Sequence, residues 1–158
     1  MNNLRIKRAR VEDAKAILNL QKLAYLSEAE IYIHKSIPPL TQTLEEIRAE
    51  FDNQIFLKAL VDERIVGSVR AYQTDGTCHI GRLVVHPDVQ NKGIGTRLMN
   101  AIETCFDKAH RFELFTGDNS ERNLYLYHKL GYREFQRLNF QEIFDLVFLE
   151  KDRNFTSK

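Results

Sequence analysis

Apolar residues recur at strand and helix spacings along the chain, and the changes in spacing mark out its elements. The segment "LRIKRA" alternates apolar and polar positions, which predicts a first strand, and helical spacing from Val11 predicts a helix ending near Ser27. The next segment, "SEAEIYIHKSIPPLTQ", has no sustained period. Its Pro38 and Pro39 favour extended geometry, so we expect a long loop with at most a helical turn. "TLEE" then has the spacing of a capping box that opens a short helix towards Phe51.

The second half of the pattern reads as three strands followed by helix and strand units. "QIFLKALV" and "RIVGSVRAYQ" are joined by the tight turn "DE", and the turn "TDGT" leads into "CHIGRLVV". A helix is expected over residues 93–109, then the strand "RFELFTG", the short helix "SERNLYLYHKLG", and the strands "YREFQRL" and "EIFDLVFLE". This order predicts a single α/β domain over residues 1–158, with a mixed sheet and helices on both faces.

Composition and charge exclude several classes of function. The chain is 43% hydrophobic and 28% charged, as in ordinary globular proteins, and its formal net charge of +1 gives no support for a nucleic-acid partner. Cys78 and Cys105 form neither a CxxC motif nor a grouping at metal spacing, so we expect no metal and no disulfide framework. No apolar run approaches ~20 residues and "MNNLRIKRAR" lacks a signal-peptide core, so we expect no membrane association and a cytoplasmic location.

The stretch "HPDVQNKGIGTRLM" places two glycines at a helix start directly after a strand. Unpaired N–H groups and the helix dipole favour an anion there, and glycine lets the backbone approach it closely. The Walker A pattern is absent, and the third glycine of a dinucleotide fingerprint is replaced by Leu98. From these residues alone, an anion site and a simple tight turn are both open.

Two segments carry a resemblance to a known family. "IGRLVVHPDVQNKGIGTRLM" resembles the acyl-CoA-binding segment of the GNAT superfamily of N-acetyltransferases, and "NLYLYHKLGYREF" resembles its second C-terminal signature. The resemblance is strong over residues 80–135 and weak before them. It implies the GNAT fold, whose mostly antiparallel central sheet has one bulged and splayed strand. It also implies an acyltransferase that moves the acetyl group of acetyl-CoA to a primary amine.

The resemblance also assigns the residues around coenzyme A. Its pyrophosphate would accept hydrogen bonds from the main chain of Gln90, Asn91, Lys92, Gly93, Ile94, Gly95 and Thr96. The pantetheine would bond like an extra strand beside Leu83, Val84 and Val85. Asn123 matches a position that often contacts the cofactor. The family's frequent asparagine at the start of that helix is Ser120 here, and Asn119 is its candidate substitute.

Acetyl transfer needs a neutral amine, a stabilised oxyanion and a proton for the leaving thiolate. Tyr127 occupies the family position of the tyrosine that protonates the thiolate. Its ordinary pKa of about 10 lies above that of a thiol, about 8.5, so we expect a hydrogen bond rather than complete transfer. Core packing is the alternative role for Tyr127. The N–H of Val84 is the predicted oxyanion donor. His79 stands where many members carry a glutamate and is a candidate base; a structural histidine, or Glu28 and Glu30 as bases, are the alternatives.

The acceptor is the least defined part of the prediction. In this family the loop after the first helix lines the acceptor site, which makes Glu28 and Tyr32 candidate substrate-binding residues. A small-molecule amine and a peptide amine both suit its composition. A protein N-terminal or lysine acetyltransferase and a non-catalytic acyl-CoA sensor are the rival functions. A homodimer that pairs the strand "EIFDLVFLE" is a further expectation, although this segment also suits an inner strand.

Overall fold

Seven strands, five α-helices and two short 3-10 helices make up the regular structure of the described residues. The computed structural model describes residues 3–32 and 37–153, with the backbone alone for residues 27–32. The strands are β1 (Arg5–Arg8), β2 (Ile55–Val61), β3 (Arg64–Thr74), β4 (Thr77–Val85), β5 (Arg111–Gly117), β6 (Arg133–Phe140) and β7 (Phe144–Asp152). The helices are α1 (Ala14–Tyr32), α2 (Pro38–Thr41), α3 (Leu44–Glu50), α4 (Ile94–Thr104) and α5 (Glu121–Lys129).

The strands form one sheet in the order β1-β2-β3-β4-β5-β7-β6. Neighbouring strands are antiparallel except for β4 and β5, which are parallel. Helices α1 and α3 pack on one face through Ile17, Ile47 and Phe56, and α4 and α5 pack on the other through residues that include Leu98 and Tyr127. We call these the α1 face and the α4 face. The predicted mixed, mostly antiparallel sheet with helices on both faces is confirmed, and β7 is an inner strand.

The two predicted hairpin turns are present and have the expected backbone conformation. Asp62 and Glu63 have φ angles of 50° and 66°, and Asp75 and Gly76 have 50° and 86°. Positive φ at both central residues matches the right-handed twist of the flanking strands. The short connections therefore fix the registers of β2 with β3 and of β3 with β4.

The region predicted as a long loop is more helical than its sequence pattern suggested. Helix α1 continues past Ser27 to Tyr32, in a stretch of glutamate and alanine that favours helix. Pro38 and Pro39 occupy the first turn of α2, where the fixed φ of proline fits and its missing N–H removes no bond. The predicted capping box at Thr43 opens α3.

Helix α4 is shorter than predicted, ending at Thr104 instead of Ala109. The chain turns after it, with the N–H of Ala109 donating to the carbonyl of Phe106 at 3.1 Å. The N–H of His110 then donates to the carbonyl of Gly76 at 2.7 Å. These bonds start β5 beside β4, and a continued helix would prevent them.

β4 is bulged, and it separates from β5 after a short paired region. The two strands pair only at Thr77 with Arg111, Cys78 with Phe112 and His79 with Glu113, although both continue further. Against β3, the register shifts because one extra residue of β4 lies between Gly81 and Val84. Arg82 lies in this bulge with φ 52°. The expected bulged and splayed strand is therefore present, and it leaves a wedge-shaped gap between β4 and β5.

Two further observations on the described residues concern metal sites and membrane-spanning helices. In the part of the chain that the structure describes, no group of three or more His, Cys, Asp or Glu side chains could hold a metal ion. None of the helices described there combines the length and the apolar character of a membrane span.

Candidate active site

A cavity of about 670 Å³ occupies the gap between β4 and β5. Asn123 and Tyr127 of α5 line it from the α4 face. Tyr25 of α1 and Pro39 of α2 line it from the other side of the sheet. The cavity therefore runs through the sheet, and molecules bound on the two faces can meet inside it.

Each of the two glycines in "QNKGIG" lies where a side chain would be unfavourable, but for a different structural reason. Gly93, the residue before α4, has φ 82°, a conformation in which a side chain is strained. Gly95 lies where a Cβ would be 3.2 Å from the Leu126 side chain, so its lack of a side chain lets α4 lie close to α5. Both positions therefore favour glycine, and the turn has a specific shape.

The start of α4 presents main-chain donors beside this turn. The first bond within the helix is donated by Arg97 to the carbonyl of Gly93 at 3.1 Å. The N–H groups of Ile94, Gly95 and Thr96 precede that bond and have no acceptor within the helix. No acidic side chain lies in the first turn of α4 to compete for an anion. We call residues 90–96 the glycine loop; its chemistry suits a pyrophosphate.

The hydrogen-bonding direction of β4 bears on the predicted oxyanion donor. The N–H of His86 donates to Val66 in β3 at 2.8 Å, and the direction alternates along a strand. The N–H of Val84 therefore also faces β3, whereas those of Leu83 and Val85 face the gap. Consistently, the Val85 carbonyl accepts a bond from the Gln90 side chain at 3.3 Å. The geometry favours Leu83 over Val84 as the oxyanion donor, because only a donor facing the gap can reach a ligand there.

Tyr127 is packed in the core and also lines the cavity. Its side chain is only 5% exposed and belongs to the core of the α4 face, yet it also lines the cavity. Its ring centroid lies 6.1 Å from that of Tyr132. Tyr125 points the other way and is 70% exposed. Packing therefore holds the Tyr127 ring in a fixed place at the cavity wall.

Asn123 and the start of α5 lie on the same side of the gap. The Asn123 amide is 3.5 Å from the Thr116 hydroxyl and lines the cavity. Ser120, the residue before α5, is buried and makes no side-chain cap. Asn123 therefore places a polar side chain in the cavity wall at this end.

His79 lies at the last paired position before the gap opens. Its ring stacks on Tyr72 with centroids 4.9 Å apart, and its Nδ1 is 3.9 Å from a carboxylate oxygen of Glu113. Glu113 in turn accepts a 2.7 Å bond from Arg111. All three of His79, Tyr72 and Glu113 line the cavity. A base at this point would lie where the two faces of the sheet meet.

A buried polar cluster beneath the cavity was missed by the sequence analysis. The Arg70 guanidinium is 2.7 Å from Glu50, and it donates to Gln21 at 3.0 Å and to Gln42 at 2.9 Å. It also lies 5.0 Å from the centroid of the Phe56 ring. Burial, opposed by the neighbouring Glu50 carboxylate, lowers the pKa of Arg70 to about 10. The available signal was an arginine in the apolar run "IVGSVRAY".

The side chains of the two predicted substrate-binding residues are outside the part of the chain that the structure describes. The backbone of Glu28 and Tyr32 belongs to the last turns of α1, but their side chains lie outside the described residues, as does that of Glu30. Tyr25, on the same helix, lines the cavity. On the α1 face, the described cavity wall is therefore formed by Tyr25, α2 and the β6–β7 hairpin.

A mixed sheet split between two parallel strands, with a glycine-bearing helix start beside the split, is the arrangement that the sequence resemblance implies. Comparison with known proteins agrees. The model of the acetyltransferase (GNAT) family matches residues 15–132. The chain belongs to this family, so the predicted family and fold are confirmed. The acceptor amine is not settled by this match.

Individual relatives give the same fold. The putative acetyltransferase yncA of Salmonella typhimurium, solved with acetyl-CoA, has a TM-score of 0.76 at 20% identity and covers 95% of this chain and 94% of its own. The PaiA N-acetyltransferase of Thermoplasma acidophilum, solved with coenzyme A, has a TM-score of 0.69 at 17% identity and covers 94% and 98%.

A curated relative is longer than this chain. The UPF0157 protein YqkA of Bacillus subtilis (strain 168) is 30% identical over 121 residues, which are 77% of this chain and 35% of that protein. The chain thus spans about a third of the length of this relative.

Proposed function

We propose that the protein transfers the acetyl group of acetyl-CoA to the primary amine of a small molecule, by direct attack of the amine on the thioester. The observation that carries this proposal is the cavity through the β4–β5 gap. It connects the α5 side of the gap, at Asn123 and Tyr127, with a largely apolar chamber on the α1 face. Substrates that enter from opposite faces would meet there. Holding two reactants in contact accounts for much of the rate acceleration in such reactions.

Several features of the chain fit acetyl-CoA. The unpaired N–H groups at the start of α4 and its dipole suit the pyrophosphate. The gap edge of β4 presents unpaired peptide groups to which an extended pantetheine can add like a strand. Acetyl-CoA supplies the acetyl group as an activated thioester. The residues proposed to hold it are Leu83, Val84, Val85, Gln90, Asn91, Lys92, Gly93, Ile94, Gly95, Thr96, Asn123 and Tyr127.

Two groups are proposed to stabilise the charge that develops during transfer. The N–H of Leu83 faces the gap and would donate to the carbonyl oxygen as it becomes negative. The phenol of Tyr127 approaches from the other wall and would donate to the departing sulfur. Both groups belong to ordered elements, so little reorganisation is required when the charge appears.

His79 is proposed to receive the proton of the amine. An amine of pKa about 10.4 is neutral in only about one molecule in 10³ at pH 7, so a base near the gap increases the reactive fraction. The nearby Glu113 carboxylate would stabilise the imidazolium that forms. Glu28 and Tyr32 remain proposed contacts to the acceptor.

A thiol-release assay tests this function and separates its rivals. The purified protein is given acetyl-CoA with a panel of small amines, short peptides and lysine-containing peptides. We expect CoA release that depends on a small amine and an acetylated product of the expected mass. Preference for peptides would identify a protein acetyltransferase, and tight acetyl-CoA binding without release for any amine would identify a sensor.

A further inference from the structure

Arg82 stands apart from the other charged side chains that line the cavity. Arg70 pairs with Glu50 at 2.7 Å, and Glu113 pairs with Arg111 at 2.7 Å and lies 3.9 Å from His79. Among the described residues, Arg82 has no ion pair. Within the described residues, its charge is therefore uncompensated in the cavity wall.

The guanidinium of Arg82 is partly withdrawn from solvent. Its Nε is inaccessible and has no hydrogen-bond partner among the described residues. A buried donor without a partner costs free energy, more so when it belongs to a charged group. Such a group is stabilised when an acceptor oxygen binds it, and a charged oxygen does so most strongly.

The bulge directs Arg82 to the acceptor side of the gap. A bulge alters where a side chain points, and Arg82 has the positive φ of 52° that the extra residue of β4 requires. Leu83, the next residue, packs against the core of the α4 face, and successive side chains of a strand point to opposite faces, so Arg82 points to the α1 face. Arg70 shares its face with Phe56 in the α1-face core. Arg82 is thus on the side opposite to Asn123 and Tyr127.

The chamber around Arg82 is otherwise largely apolar. Tyr25, Pro39, Phe140, Phe144 and Phe148 contribute to its lining. A ligand that fills it should have an apolar body and a single negative group. Arg82 directly precedes Leu83, the proposed oxyanion donor, and both line the cavity, so one small ligand can contact both residues.

We infer that the acceptor is a small amine that also carries an anionic oxygen group, which the Arg82 guanidinium binds. An α-amino acid with an apolar side chain meets these conditions: its amine faces the thioester, its carboxylate pairs with Arg82, and its side chain packs in the chamber. A guanidinium binds a carboxylate through two parallel hydrogen bonds. This inference rests on the proposed function, and it disfavours a peptide N-terminus, whose adjacent carbonyl carries no charge.

Matched pairs of acceptors test the inference. The pairs are L-phenylalanine with 2-phenylethylamine and L-leucine with 3-methylbutylamine, which differ only in the carboxylate. For the wild-type protein we expect kcat/KM to be at least about tenfold higher for the amino acid of each pair. Equal rates, or faster transfer to the decarboxylated amine, would overturn the inference.

Substitutions at Arg82 test whether this residue causes the preference for acceptors that carry a carboxylate. Arg82→Gln should remove the preference while changing kcat/KM for the decarboxylated amine and KM for acetyl-CoA by less than about twofold; Arg82→Lys should restore part of the preference. Arg64→Gln, at an exposed position at the start of β3, is the control and should keep it. An Arg82→Gln protein that loses acetyl-CoA binding and keeps its acceptor preference would also contradict the inference.

A binding measurement separates this inference from the proposed function. If no amine is acetylated, the function fails, and calorimetry on the CoA-saturated protein still decides the role of Arg82. N-acetyl-L-phenylalanine should bind at least about tenfold more tightly than N-(2-phenylethyl)acetamide, and Arg82→Gln should abolish the difference. Equal affinities in the wild-type protein would refute the anion site.

Discussion

At the level of single residues, the Tyr127 phenol is the group whose removal separates chemistry from packing. Its ring is buried in the core and its position lines the cavity. Tyr127→Phe keeps the ring, so we expect the free energy of unfolding to fall by about 1 kcal/mol or less. The kcat for the preferred amine should fall about 10- to 100-fold, with KM for acetyl-CoA changed less than about twofold.

Steady-state kinetics and urea unfolding check this prediction together. Tyr125→Phe is the matched control, because Tyr125 lies on the same helix and is 70% exposed. Removing its hydroxyl should leave kcat and the free energy of unfolding unchanged. If transfer by the Tyr127→Phe protein equals that of the wild type, the phenol has no part in the reaction.

The Arg70 cluster gives a second prediction, on stability. The Arg70 side chain is 4% exposed and Glu50 is its charged partner. Glu50→Gln leaves this buried guanidinium without a carboxylate, so the free energy of unfolding should fall by about 1–3 kcal/mol. Glu63→Gln removes the partner of Arg5 in an exposed pair and should change it by less than about 0.5 kcal/mol. Equal effects in urea titrations would show that the cluster contributes no more than a surface pair.

At the level of elements, the entry to α4 is where backbone conformation and cofactor binding are coupled. Gly93 has φ 82°, so Gly93→Ala should lower the free energy of unfolding by about 1 kcal/mol. It should also weaken CoA binding, because relieving the strain moves the N–H groups of the glycine loop. Calorimetry with CoA and urea titration measure the two effects.

A control glycine distinguishes strain from a general cost of alanine. A Cβ at Gly81 would meet no atom within 4 Å, and the φ of this residue is not positive. Gly81→Ala should therefore leave the free energy of unfolding unchanged or slightly raised. Should Gly93→Ala bind CoA as tightly as the wild type, the shape of this turn would not matter for the cofactor.

The elements also show which features local sequence predicts. The hairpin turns follow from the turn residues themselves, and α4 follows from its amphipathic spacing, since both depend on neighbouring residues. The extension of α1 to Tyr32 and the start of α2 at Pro38 were not predicted. Proline is compatible with the first turn of a helix as well as with a loop, so its presence did not decide between them.

At the level of the whole molecule, the site depends on contacts that no local pattern contains. Arg70 in β3 is bonded by Gln21 of α1 and Gln42 after α2, which are 49 and 28 residues away. The hydrogen-bonding side of Leu83 follows from the register with β3, which the bulge shifts. Tyr127 and the glycine loop were accessible to sequence reasoning because a family motif carries them. The Arg70 cluster and the isolation of Arg82 became apparent only from the fold.

Cofactor binding should stabilise the whole molecule. A ligand present at about 100 times its dissociation constant stabilises the native state by about 2.7 kcal/mol. For a chain of this size we expect CoA at that ratio to raise Tm by about 5–10 °C. Differential scanning calorimetry measures the shift. Dephospho-CoA retains the pyrophosphate and should give a similar shift, whereas pantetheine alone should give much less; equal shifts for pantetheine and CoA would argue against the glycine loop as the anion site.

The central claim is that the β4–β5 gap brings acetyl-CoA and a small amine together for direct transfer. Mass spectrometry of the acceptor, combined with thiol release from the wild-type protein, tests it most directly. We predict one acetylated amine for each CoA released, with release dependent on the amine. Tight CoA binding without any acetylated amine, across small amines and peptides alike, would contradict the claim.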